Sequence, residues 1–315
     1  MVSHGAKSSA PLIYTILVSD GSVRRTNLGN SSAVPAPADY NGDGITDLAS
    51  VQRKSAKLSE WMIQLSPNKM QMVVPLSAPI DSILSGCDFD GDKKADIAGF
   101  NSKTRQLYYI KSSTISGNIQ SSLLVKPRGT IAAATCADID GDGKSELITL
   151  SRITANGKTP RQSLISAFSM KGQTLFKQAR TGRADGVFTM TIVLNDNPAV
   201  GFFTRQSSDK TISLLNFYIK KNNQYVLGKM KISPVVDFTS GTYVRLLTTQ
   251  DTIPAKYLGL LGFTTSRNLF RMDLSDLGAG DLTATENQSA IAALGTGTSG
   301  KRAQILSCVT ALPLP

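Results

Sequence analysis

The stretch "ADYNGDGITDLAS", residues 38–50, sets Asp39, Asn41, Asp43 and Asp47 around two glycines directly before an apolar run. Asp39, Asn41 and Asp43 alternate, so a tight loop can turn all of these side chains inward, where like charges repel one another. A hard cation removes that conflict. Ca²⁺ suits the role because it takes six to eight oxygens at about 2.3–2.6 Å in flexible geometry. Two further stretches repeat the pattern: "CDFDGDKKADIAGF" from Cys87 and "CADIDGDGKSELITL" from Cys136. Their first acidic residues, Asp88 and Asp138, follow Asp39 at intervals of 49 and 50 residues. A fixed period of this size marks propellers, solenoids or arrays.

Each period divides into the same parts: an apolar strand, the acidic loop, a second strand, a polar turn and two closing strands. In the first unit these are the run before Asp39, "DLASVQ", "SEWMIQLS" and "KMQMVVPLS", with "PNK" as the last turn. The second gives "DSILSGC", "DIAGF", "RQLYYIK" and "QSSLLV", and the third "TIAAATC", "ELITLS", "SLISAFS" and "QTLFKQA". A fourth and a fifth unit keep the strands but lose the loop. Only Asn195, Asp196 and Asn197, then Asp251, stand where ligands would be, so neither is read as a metal site. At the C-terminus "SAIAALGT" and "AQILSCVT" read as the first two strands of a sixth unit, and the N-terminal "LIYTILVS" and "SVRRTNLG" as its last two.

The reading is therefore all-β: a six-bladed β-propeller of four-stranded blades, the last closed by pairing N- and C-terminal strands, which removes the exposed sheet edges. Residues 1–10 are expected to be a flexible tail and 11–312 one propeller. Its blades fall at about 33–80, 81–129, 130–184, 185–236, 237–287, and 288–312 with 11–29. Sustained helical spacing of apolar residues is nearly absent.

The three loops resemble the FG-GAP, or VCBS, repeat family, whose calcium-loop blades also build the integrin alpha-subunit head and many bacterial surface and secreted proteins. The resemblance implies one Ca²⁺ in the loop between the first and second strands of a blade. Carried onto this chain, site one is Asp39, Asn41, Asp43, the Ile45 carbonyl and Asp47. Site two is Asp88, Asp90, Asp92, the Lys94 carbonyl and Asp96, and site three Asp138, Asp140, Asp142, the Lys144 carbonyl and Glu146. An EF-hand, the competing reading, needs a bidentate Glu at its twelfth position between two helices. Ser50, Gly99 and Thr149 occupy that position here, between strand-like flanks. Site two carries Lys93 where the others have Gly44 and Gly143, a position that needs left-handed backbone, and is expected to bind most weakly. All three ions are expected to be structural.

With one histidine, His4, imidazole-based catalysis is excluded in practice, and no catalytic constellation is readable. The chain carries 34 Lys and Arg against 23 Asp and Glu, a net charge of +11. This favours an anionic glycan or surface polymer, or a protein, as partner; nucleic acid is disfavoured. Basic residues recur in the turns between second and third strands: Arg53, Lys54 and Lys57; Lys103 and Arg105; Arg152, Lys158 and Arg161; Arg205 and Lys210; Arg267. They predict a basic face opposite the acidic loops. Trp61, Tyr108, Tyr109, Phe168, Phe217, Tyr218 and Phe270 recur in third strands, as inter-blade packing rather than sugar platforms. The Gly-rich "GTGTSGK", residues 295–301, lacks the spacer of a phosphate loop and reads as a turn. Cys87 and Cys136 are expected to be free, buried thiols facing opposite ways.

No run is long and apolar enough to span a bilayer as a helix, and no signal peptide is legible at the start. The expectation is a secreted, periplasmic or cell-surface binding and adhesion module that is one piece of a larger protein or assembly. A lectin and a carbohydrate-active lyase or glycosidase are the alternatives.

Overall fold

The computed structural model describes with side chains Leu12 and, apart from short gaps, residues 25–179. Outside this span it describes the backbone of strands only. The molecule is all-β, with a single 3₁₀ turn, Ser112–Gly117, among the described residues.

Three four-stranded antiparallel sheets carry the described side chains. The first runs Val34–Pro35, Leu48–Ser55, Leu58–Gln64, Gln71–Leu76; the second Ser82–Leu84, Ile97–Asn101, Gln106–Ile110, Gln120–Leu124. The third runs Thr130–Ala137, Glu146–Ile153, Gln162–Phe168, Thr174–Thr181. In each, spatial order follows chain order. Every acidic loop therefore joins a first strand to a second, as the repeat reading requires.

Why these strands are so apolar follows from the packing. Successive side chains point to opposite faces of a strand, and in the second sheet both faces are covered. Ile97 and Ile110 join a cluster with Trp61, Ile63 and Leu76 of the first sheet. Ala98, Phe100 and Leu107 join another with Leu147 and Phe168 of the third. Leu48–Val51, Ile97–Phe100 and Glu146–Ser151 are consequently buried without interruption. Of the third-strand aromatics, Trp61 and Phe168 are buried between sheets, while Tyr108 and Tyr109 pack half-buried against the same clusters. The side chains of Phe217, Tyr218 and Phe270 lie outside the described residues.

Three more sheets are described as backbone, save for residues 25–27 of the sixth. The fourth holds Ala184–Ile192, Asn197–Arg205, Ser213–Lys221 and Gln224–Ser233, with Leu282–Thr283 added in parallel. The fifth holds Val236–Arg245, Leu258–Thr264, Leu269–Asp273 and Thr285–Glu286. The run "GDLTATE", read as one closing strand, is thus divided between two sheets. The sixth brings the termini together in the order Ala303–Ile305, Val2–His4, Ile13–Leu17, Val23–Asn27. Val2–His4, read as part of a flexible tail, fills the second place, and the C-terminal strand moves to the first. Residues 295–301, Asp251 and Cys308 lie outside the described residues.

One expectation is overturned. Cys87 and Cys136 are joined by a disulfide, their Cα atoms 5.8 Å apart, and both are buried in the cluster between the second and third sheets. Strand alternation had set them facing apart. Cys87, however, lies beyond the strand Ser82–Leu84, and Gly86 at φ +74° turns the chain before it. Counting alternate residues across a left-handed glycine gives the wrong face.

Candidate metal centre

The first carboxylate of each loop holds the turn together. Asp39 accepts from the N–H of Gly42 (2.6 Å) and Gly44 (2.8 Å). Asp88 accepts from Gly91 (2.7 Å) and Lys93 (2.7 Å), and Asp138 from Gly141 (2.7 Å) and Gly143 (2.9 Å). The donor at the fifth place after the first Asp sits in left-handed backbone each time: Gly44 at φ +79°, Lys93 at +67°, Gly143 at +84°. Lys93 therefore adopts the strained conformation that the repeat demands, with its side chain exposed.

The last carboxylate of each loop is buried and reaches back to the loop's start. Asp47 accepts from Tyr40 N–H (2.8 Å), Asp96 from Phe89 N–H (2.7 Å) and Glu146 from Ile139 N–H (2.9 Å). The second oxygen of Asp47 accepts from Ser66 N–H (2.7 Å), and that of Asp96 from Ser112 N–H (2.7 Å). Burial raises all three carboxyls, the neighbouring loop charges add to it, and the backbone donors oppose it. Asp96 is pushed up to about 6 and Glu146 to about 7. Burial likewise raises Asp88.

Carboxylate oxygens of Asp88, Asp90 and Asp96 lie within 4.8 Å of one another, as do those of Asp138, Asp140 and Glu146. In the first loop Asn41 replaces the second Asp, and its amide nitrogen donates to Asp43 (2.9 Å). Asp92 accepts from Ser112 Oγ (2.8 Å to the nearer oxygen), and Asp90 Oδ2 from Ser113 Oγ (2.8 Å). Asp90 Oδ1, by contrast, is buried with no hydrogen-bonding partner. A buried, unsatisfied carboxylate oxygen among two other carboxylates fits a hard cation, and an all-oxygen donor set fits calcium better than zinc.

Ser66, Ser112 and Ser113 lie outside the loops and went unread in the sequence. Their signal was the repeat itself: Ser66 and Ser112 each stand just past the third strand of their unit.

Residues 88–149 match the FG-GAP-like repeat. The matched FG-GAP-like repeat begins at Asp88 and runs beyond Glu146, so it takes in the loops of sites two and three whole. No curated protein matches the chain in sequence. Among solved structures the chain is similar to a hypothetical selenium-binding protein from Sulfolobus tokodaii. Identity is 9% and the TM-score 0.53, over 91% of this chain and 74% of that one, a likeness of fold alone. It also aligns with the biofilm matrix protein Bap1 of V. cholerae at 15% identity and a TM-score of 0.26, over 68% of this chain and 39% of that one.

At the other end of the second strands lie the basic hairpins. Arg53, Lys54, Lys57, Lys103 and Arg105 are exposed there. Arg53 also donates to the Ile80 carbonyl, and Arg105 to the Gly129 carbonyl (3.5 Å), each at the start of the following sheet. Lys54 pairs with Glu60 (3.1 Å). Lys158, Arg161, Arg205, Lys210 and Arg267 have no described side chains. No described helix is long and apolar enough to cross a membrane.

Proposed function

We propose that this chain is a calcium-stabilised, six-bladed β-propeller, closed by its own termini, that serves as a non-enzymatic binding or adhesion module outside the cytoplasm. The observation that carries the reading is Asp90 Oδ1, a buried and unpartnered oxygen of a carboxylate that is grouped with those of Asp88 and Asp96. Leaving such a group unsatisfied costs about 1–3 kcal/mol or more, which a bound cation would offset. Site two would be held by Asp88, Asp90, Asp92, the Lys94 carbonyl and Asp96. The corresponding residues at site three are Asp138, Asp140, Asp142, the Lys144 carbonyl and Glu146, and at site one Asp39, Asn41, Asp43, the Ile45 carbonyl and Asp47. Calcium supplies positive charge and oxygen coordination there and no redox chemistry. Asp39, Asp88 and Asp138 close each turn through backbone N–H groups, and Asp47, Asp96 and Glu146 pin it to the strand behind. These carboxylates are committed to loop structure, which supports a scaffolding role for them over acid-base chemistry.

The Cys87–Cys136 disulfide supports an oxidising compartment, since such bonds rarely persist in a reducing cytosol. Pairing of Ala303–Ile305 with Val2–His4 supports ring closure. The exposed basic hairpins suit an acidic surface polymer or the acidic face of a protein.

Chelator-stripped protein should melt higher in calcium chloride, by roughly 2.7 kcal/mol per site at one hundred times the dissociation constant. Asp90→Asn should remove part of that gain. Unchanged melting with calcium overturns the metal reading. Retention on immobilised dextran sulfate but not neutral dextran, reduced by Lys57→Glu with Lys103→Glu, is expected for the binding role. Equal behaviour on both matrices overturns the basic face.

A further inference from the structure

The acidic loops touch one another sideways, and they do so unequally. Ala95 N–H donates to the Asp39 carbonyl (2.7 Å), linking loop two to loop one. The equivalent residue of loop three, Ser145, donates its N–H to the Asp88 carbonyl (2.5 Å). Ser145 makes one bond more: its Oγ accepts from Asp88 N–H (3.0 Å). Both backbone groups of the first acidic residue of loop two are thus held by one residue of loop three. Ser145 is buried and lies between Lys144 and Glu146. Two other contacts tie the same pair of loops. The Cys87–Cys136 disulfide joins their roots. The stem of Lys144 lies over Gly91, where an added Cβ would come within 3.2 Å of Lys144 Cγ. Loops one and two have the equivalent lysine contact, Lys94 over Gly42, but Ala95 has no hydroxyl to offer and no disulfide joins their roots.

Resting on the calcium reading above, we infer that Ser145 is a positioning residue for site two, and that through it sites two and three load calcium as a coupled pair while site one loads independently. Ser145 ligates nothing. Drawing Lys144 and Glu146 onto an ion moves the residue between them, and that residue fixes the backbone of Asp88. Ordering one loop therefore pre-orders the other, so the second ion meets a loop whose ordering is already complete, which is positive coupling. The matched FG-GAP-like repeat spans this pair and stops short of loop one.

The test is calorimetric titration of the chelator-stripped, oxidised chain with calcium chloride, in an Asp47→Asn background that silences site one. Asp96→Asn and Glu146→Gln then isolate sites three and two. Each isolated site is expected to bind at least about fivefold more weakly than in the pair, the lower bound typical of coupled sites. Ser145→Ala, which keeps every ligand, should bring the coupling below about twofold, and Ser145→Thr should restore it. With site three silenced instead, Ala95→Ser is expected to create coupling between sites one and two by supplying the missing hydroxyl, a result that does not depend on Ser145→Ala folding. Sites that bind calcium with unchanged affinity when isolated, or coupling untouched by Ser145→Ala and Ala95→Ser alike, overturn the inference alone. Absence of both binding heat and a calcium-dependent melting shift overturns the calcium reading and this inference with it.

Discussion

Replacing Cys87 and Cys136 together by alanine should cost this protein about 4 kcal/mol. The bond closes a loop of 49 residues, and cross-linking a loop of about that length removes roughly 14 cal/mol/K of chain entropy from the unfolded state, about 4 kcal/mol at 25 °C. That is a large part of the 5–15 kcal/mol typical of a folded domain. Trp61, the sole tryptophan, is fully buried between the first two sheets and reports unfolding by fluorescence. Urea titration of the oxidised protein and the double variant, each carrying Cys308→Ser, would measure the difference. With a slope of roughly 2–3 kcal/mol/M, the midpoint should fall by roughly 1.3–2 M. The slope itself should rise, because an uncrosslinked unfolded chain exposes more surface. A midpoint within about 0.3 M of the parent, where roughly 1.3 M is predicted, would refute the loop-entropy argument. Free thiols at Cys87 and Cys136 in the native protein, found by mass spectrometry, would refute the bond.

Three other outcomes follow from the same geometry. Asp96 and Glu146 are raised from 3.8 and 4.5 to about 6 and about 7 by burial. The folded metal-free protein therefore holds protons that the unfolded chain has released, and its stability should fall as pH rises between roughly 4 and 7; calcium should abolish that fall, and a chelated protein that melts higher at pH 8 than at pH 5 refutes it. Lys93→Gly relieves left-handed strain of roughly 1 kcal/mol and removes a charge beside site two, so calcium affinity measured there should rise severalfold; an unchanged or lower affinity counts against strain as the cause. Phe100→Ala, at a fully buried position, should cost about 3–5 kcal/mol in urea unfolding, whereas Val73→Ala, 57% exposed, should stay within about 0.5 kcal/mol. Similar costs at the two positions would refute the assignment of the inter-sheet core.

The sequence alone determined what is local and periodic. The spacing of Asp39, Asp88 and Asp138 determined the repeat, and alternation within "SEWMIQLS" and "RQLYYIK" located strands found at Leu58–Gln64 and Gln106–Ile110. Gly44 and Gly143 marked the left-handed turn, because a backbone conformation that excludes most side chains leaves a compositional trace, and the repeat carried the same turn onto Lys93. What only the tertiary structure decided is what depends on neighbours distant in the chain. The disulfide was hidden because Gly86 breaks the alternation that would have aimed Cys87. The supporting serines were hidden because a hydroxyl at a strand end looks like any polar turn residue until Asp92 or Asp90 is beside it. The link from Ser145 to Asp88 joins residues 57 apart in sequence, and no local pattern encodes which carbonyl a buried serine will meet. Even the place of Val2–His4, between Ala303–Ile305 and Ile13–Leu17, depends on strands far away in the chain, which three residues of sequence cannot record.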